Sequence, residues 1–367
     1  MTSLKTPLCE LLGIEYPIIQ AGMSGGAGPE LVAAVANAGG FGILPALNLA
    51  PDAVRDAVRR TRALTDRPFG VNLWLHGNLW PPADVTRLAP DTVRAVGAAL
   101  NRVRKELDLP ERATEPVPMA DVVGGVFEVI VEERVAVFSV ALGEPTPEMV
   151  RRCRERGIKI MTMVPSVEAA RTAERVGADV IVAQGSEAGG HRSIGDKPAT
   201  PPLGVGTLAL VPQVVDAVRV PVVACGGLAD GRGLVAALAL GAQGVQLGTR
   251  FVATRESPVA EFRKKAILEA ESHETALSDV VSGLWARYVR NRYIAAYEAA
   301  GAPVLPALVQ TRAAQDIFDE ANRRQDAAWL PLATGQSAGL VRDLPGAGEV
   351  IETIVREARA VLTRLAG

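Results

Sequence analysis

Four times along this chain an alanine-rich segment stops at a glycine and passes directly into a short β-branched run, a repeat that leaves few folds open. The units run from Leu31 to Leu44 with a turn at Gly39-Gly40, from Met149 to Met163 with Gly157, from Val167 to Ala183 with Gly177, and from Gly233 to Leu247 with Gly241. Glycine ends a helix cheaply because it accepts the left-handed conformation that closes the last turn. Helices alternating with uniformly apolar strands imply a parallel sheet covered on its outer face by those helices. Runs that follow a proline or a polar turn complete a set of eight strand candidates: Ile18–Ala21, Gly42–Leu44, Phe69–Trp74, Val135–Val140, Ile158–Met163, Val180–Ala183, Val222–Cys225 and Gly244–Leu247. Eight such strands predict an α/β chain closed into a (β/α)8 TIM barrel, in preference to an open doubly wound sheet.

Two stretches break the rhythm. Residues 76–134 form an excursion after the third strand, punctuated by Pro81, Pro82, Pro110, Pro116 and Pro118, and read as an inserted lid segment. Residues 257–332 follow the eighth strand, are rich in helix formers, and carry Trp285, Tyr288, Tyr293 and Tyr297 at roughly helical spacing, as a core stripe would be. The expected organisation is therefore a barrel from 1–256 and 333–367, with a mainly helical lid subdomain over 257–332. Residues Gly348 to Leu365 read as the helix that closes the barrel as its eighth.

Charge and cysteine content narrow the partners. With 39 basic and 41 acidic residues the net charge is -2, and no basic stripe or aromatic ladder points to nucleic acid. Cys9, Cys153 and Cys225 lack CxxC spacing, so neither a disulfide framework nor a metal site is expected. No segment approaches the roughly 20 apolar residues of a membrane span, and Met1 to Gly13 does not read as an export signal. A cytoplasmic protein acting on a small molecule is expected.

The chemistry concentrates at strand ends. Gln184-Gly185-Ser186-Glu187-Ala188-Gly189-Gly190-His191 places one of three histidines just past strand six, where glycines allow backbone to approach a ligand closely. Pro221 to Gly233 carries Gly226-Gly227 between a strand and a helix, and Gln246-Leu247-Gly248-Thr249 ends the next strand. Loops after strands seven and eight are the recurrent phosphate grip of TIM barrels. Such a grip fits FMN or a sugar phosphate better than a dinucleotide, and no GxGxxG follows a strand. The Ala21-Gly22-Met23-Ser24-Gly25-Gly26 turn reads as backbone lying against a flat ring, with Asn72 and Gln184 as polar partners. His76 and His273 read as structural, Cys225 as a buried filler and Glu187 as an orienting group. Arg192 and Arg250 fit either surface charges or anion holders.

Taken in order, Pro17–Met23, Asn37–Gly42, Gly70–Leu73, Ala183–Arg192, the Gly226-Gly227 loop and Gln246–Phe251 resemble the nitronate monooxygenases, FMN-dependent TIM-barrel flavoenzymes. The resemblance covers essentially the whole chain. It implies FMN contacts at Gly22, Met23, Asn72, Gln184, Gly189, Gly190, Gly226, Gly227, Gln246, Leu247, Gly248 and Thr249, with His191 as the active-site histidine. The implied reaction is oxidation of alkyl nitronates, and of nitroalkanes, by O2 to carbonyl compounds and nitrite or related nitrogen oxides. His191 would position the anion, or act as base on a neutral nitroalkane with an imidazole of ordinary pKa. A homodimer is compatible with this reading. The flavin-dependent, NAD(P)H-using enoyl-acyl-carrier-protein reductases share the Glu-Ala-Gly-Gly-His segment and form the alternative. Arg192 and the Gly335–Leu340 segment lean towards the monooxygenase, whereas Ser193 stands where many monooxygenases have glycine. A non-catalytic barrel that binds a phosphate metabolite is the third reading.

Overall fold

The computed structural model describes residues 4–77, 79–194, 202 and 204–367. Eight parallel strands form one sheet: β1 (Ile18–Gln20), β2 (Gly42–Pro45), β3 (Phe69–Trp74), β4 (Val137–Ala141), β5 (Lys159–Val164), β6 (Val180–Gln184), β7 (Val222–Cys225) and β8 (Gly244–Leu247). From β2 to β8 each strand pairs with the next in sequence, and β1 pairs with β8. Phe41, just before β2, bridges to Ile19 and closes the ring, so the chain is the TIM barrel the repeat predicts. The glycines expected to stop helices, Gly39, Gly157, Gly177 and Gly241, all have positive φ, which a β-carbon would oppose.

Strand alternation sorts each side chain to one of two cores. Val180 and Val182 of β6 and Val223 of β7 point into the barrel with Ile19, Ile43 and Met161, joined by Leu8, Cys9 and Leu12 of the N-terminal helix. Ile181, Ala183, Ala224 and Val245 point outward against the helices. The last helix, Ala347–Ala366, supplies Val350, Ile351 and Ile354 to that outer core, as expected of the eighth barrel helix.

The stretch 76–134 divides. Helix Val123–Glu132 belongs to the barrel wall, packing Val126, Phe127 and Ile130 with β3 and β4, so the departure from the barrel ends before it. Helix Pro90–Glu106 instead joins the segment after β8: Val96, Leu100 and Val103 pack with Tyr293, Tyr297, Phe318 and Trp329 in one cluster. The aromatic stripe is not one helix. Tyr288 lies in strand Ala286–Val289, which pairs with strand Thr275–Ser278 and with Gly190–His191, whereas Tyr293 and Tyr297 lie on helix Arg292–Ala299.

Arg104 ties these two excursions together. Its side chain is fully buried, with Nε 2.8 Å from Asp316 Oδ2, and its other nitrogens donate to Asn101 Oδ1 and Ala313 O. Removing one partner leaves a buried charge uncompensated, which costs several kcal/mol. Asp316→Ala is expected to lower stability by about 3 kcal/mol in chemical denaturation; a loss below about 0.5 kcal/mol would show that the pair is not needed.

Candidate active site

The inward register brings one side chain from each of six strands to the C-terminal end of the barrel, where its interior opens. Asn72 of β3, Ser139 of β4, Met163 of β5, Gln184 of β6, Cys225 of β7 and Gln246 of β8 line a single cavity of about 410 Å³. Gly22, Met23, Gly189, Gly190, His191, Gly226, Gly227, Gly248 and Thr249 line it too, from four different loops. Leu247 does not: one residue after inward-facing Gln246, it alternates outward into the helix-side core.

The glycine loops leave backbone donors unmet. Among the described residues, the N–H groups of Gly227, Gly248 and Thr249 donate to no protein acceptor. The helix after β7, Gly231–Ala239, offers no such donors at its start, because Asp230 accepts from Arg232 N and Gly233 N and Glu357 accepts from Gly231 N. Of the two loops read as a phosphate grip, Pro221 to Gly233 and Gln246 to Phe251, the unpartnered donors named above are at Gly227 and at the Gly248-Thr249 turn. A β-carbon on Gly190 would meet no protein atom within 4 Å, and one on Gly248 only Met23 Sδ at 3.6 Å. Space beside these residues is left open by the protein itself.

His191 stands over this cavity on a two-residue strand pinned to Ala286–Val289. Its ring meets Trp74 edge-on at 4.6 Å and Tyr288 at 6.5 Å, and Nε2 lies 2.8 Å from Ser282 Oγ. Ser282 is buried, and its hydroxyl oxygen accepts from Leu284 N, which leaves its one proton for Nε2 and the ring N–H on Nδ1. Burial among these groups, with a smaller contribution from nearby His76, pushes the imidazole down to about 4. This corrects the expectation of an ordinary imidazole: His191 is neutral at pH 7. His76, which the sequence left as a structural loop residue, is buried close enough to act on His191 electrostatically.

Most other polar groups hold the loop. Gln184 Nε2 donates to His191 O and its Oε1 accepts from Ser193 N, so this carboxamide fixes the His191 backbone. Arg192 is buried and donates to Gly185 O and Gln184 O, while Arg250 is held by Asp343 and Ala253 O. Neither guanidinium points into the cavity lining, which answers the choice left open by the sequence. Glu187 accepts from Thr207 N and its hydroxyl, an orienting role. Burial pushes the Cys225 thiol up to about 12, which makes it a poor nucleophile. Asn72 Nδ2 donates to Ser139 Oγ at 3.0 Å. By contrast Gln246 Oε1 is buried with no protein partner.

Sequence reading did not find Ser139, Trp74, Ser282, Tyr288 or Arg263, all of which line the cavity. Ser139 was signalled by a polar residue at the inward register of an apolar run. The contacts of Ser282 and Tyr288 with His191 are long-range and left no local sign.

The chain was compared with known proteins. The family model for nitronate monooxygenase matches residues 5–357. A probable nitronate monooxygenase of Staphylococcus saprophyticus is 36% identical over 98% of this chain and 99% of its own length. One from Staphylococcus aureus strain MSSA476 is 34% identical over 98% of each chain. Among solved structures, the nitroalkane oxidase from Streptomyces ansochromogenes superposes with a TM-score of 0.87 at 32% identity, covering 98% of this chain and 99% of that one. FabK from Thermotoga maritima gives 0.75 at 32% identity over 99% of both. Matched almost from end to end by the family model and by relatives a third identical to it, the chain belongs to the nitronate monooxygenase family.

Proposed function

We propose that this protein oxidises alkyl nitronates with O2, using FMN, to a carbonyl compound and nitrite or a related nitrogen oxide. The observation that carries this reading is a neutral, half-buried histidine over a cavity whose lining, among the described residues, contains no carboxylate. A nitronate already bears the negative charge that a base would otherwise have to create. Its oxidation asks the protein for a hydrogen-bonding group and a desolvated pocket, both of which His191 and its aromatic neighbours supply. A neutral nitroalkane must lose its α-proton first, and an imidazole near 4 is a weak acceptor for it. Nitronates are therefore expected to be the better substrates.

The residues present fit FMN. The unpartnered N–H groups of Gly227, Gly248 and Thr249 would hold its phosphate, and the unmatched Gln246 Oε1 would accept from the ring's N–H. Gly22, Gly189 and Gly190 would let backbone approach its flat face, with Met23 and Asn72 at the edge. When bound, FMN supplies the electron acceptor for the nitronate and passes the electrons on to O2. His191 holds the anionic head by hydrogen bonding, Gln184 and Arg192 keep the His191 loop in place, and Trp74 and Tyr288 exclude water from it. Oxygen uptake with ethyl nitronate, accompanied by nitrite and acetaldehyde, is the expected result for the FMN-loaded protein. No uptake at full flavin occupancy would reject the reading.

A further inference from the structure

Two buried leucines that line the cavity have left-handed backbone conformations: Leu142 with φ 57° and Leu308 with φ 63°. Such a φ is unfavourable for a branched side chain and persists only where surrounding structure imposes it. Here the imposing contacts lead to the site. Leu142 N donates to Ser193 Oγ, and Ser193 N donates to Gln184 Oε1. Leu308 N donates to Ser282 O, and Ser282 Oγ meets His191 Nε2. Each leucine is thus held through one serine to a residue of the His191 loop, although they come from segments 166 residues apart in sequence, 142 and 308.

These leucines pack together with Leu47 and Trp74 in one apolar cluster, and Trp74 is the ring against His191. The only charged side chain lining the cavity, among the described residues, is Arg263. It lies outside that cluster, on helix Glu261–Glu269, with one nitrogen donating to Pro331 O. Among the described residues, the wall beside the histidine is therefore a hydrocarbon surface without a counter-charge.

We propose that this leucine-walled chamber is the subsite for the hydrocarbon tail of the substrate, so that the site selects nitronates with an extended, uncharged alkyl chain. The proposal rests on the nitronate reading given above. Transfer of a methylene from water to such a wall favours binding about fourfold when burial is complete. For the partial burial of a flexible tail, kcat/KM is expected to rise about threefold per methylene from ethyl to butyl nitronate. A tail ending in a carboxylate loses this gain, so propionate 3-nitronate is expected at least tenfold below butyl nitronate.

The test uses the FMN-loaded protein and its Leu142→Asn and Leu308→Asn variants, because asparagine tolerates positive φ and keeps the backbone. The butyl-to-ethyl ratio of kcat/KM should fall from about nine towards one in both variants. In parallel, calorimetry compares propionate with pentanoate, unreactive planar anions of matching chain length; pentanoate should bind at least fivefold tighter to the parent, with the preference lost in the variants. Nitronate turnover with a flat chain-length profile and equal binding of the two alkanoates overturns the proposal and leaves the function standing. Absence of nitronate turnover with the pentanoate preference intact overturns the function and leaves the chamber standing. A parent preference unchanged in both variants also overturns the assignment to these leucines.

Discussion

Replacing His191 with asparagine is expected to lower kcat/KM for ethyl nitronate about 10- to 100-fold, the loss of one hydrogen bond to a charged group. For neutral nitroethane the loss is expected to be larger, about 10²- to 10⁴-fold, because proton abstraction goes with it. The two substrates thus separate positioning from base catalysis. In the parent, the pH profile of kcat/KM reports the free enzyme, so no His191 inflection should appear near 6.5; it belongs at about 4. The same shift has a consequence for stability. Between about 4 and 6.5 the unfolded imidazole binds a proton that the folded one refuses, so the His191 contribution makes stability rise with pH across that window and level off above it. The asparagine variant should lose that part of the slope. Equal losses on both substrates would show that His191 is not the base, and an inflection near 6.5 that disappears in the variant would contradict the neutral-histidine assignment.

Gly248→Leu is expected to fold as the parent does and to lose FMN. At this position φ is -104°, outside the left-handed region, and an added β-carbon meets only Met23 Sδ at 3.6 Å. Protein packing therefore has little reason to object. The side chain would, however, occupy the cavity at the turn whose N–H groups are unmet. FMN affinity should fall at least ~100-fold, as expected when the side chain fills the space in front of these N–H groups and keeps the phosphate from their charge-assisted hydrogen bonds, while the melting temperature of the flavin-free protein changes little. Retained flavin would place the phosphate elsewhere, and a destabilised apoprotein would show that Gly248 serves the fold.

The barrel was legible because its strands are buried on both faces and read as unbroken apolar runs, each announced by a glycine or a proline turn. The same logic exposed Asn72, Gln184 and Gln246, polar residues that interrupt such runs at their C-terminal ends. It failed for Leu247 because the resemblance supplied a contiguous turn, whereas strand alternation sends neighbours to opposite faces. Helix Val123–Glu132 was hidden behind a proline-rich connection that looks like continued excursion. Tyr288 and Tyr293 share a helical spacing only by coincidence, across a strand, a turn and a helix start. The pKa of His191 could not be read at all: it is set by Trp74, Tyr288, Ser282 and His76, brought together by the fold from positions 74 to 288.

The measurement that tests the central claim most directly is the visible spectrum of the FMN-loaded protein under anaerobic conditions, recorded after ethyl nitronate is added and, in a parallel cuvette, after NADPH. Ethyl nitronate is the short substrate, so the result does not depend on the leucine chamber. Loss of the flavin absorbance with the nitronate, little change with NADPH, and recovery on admitting O2 are the predicted result. Bleaching by NADPH with none by the nitronate would contradict it and assign the site to an NAD(P)H-dependent reductase.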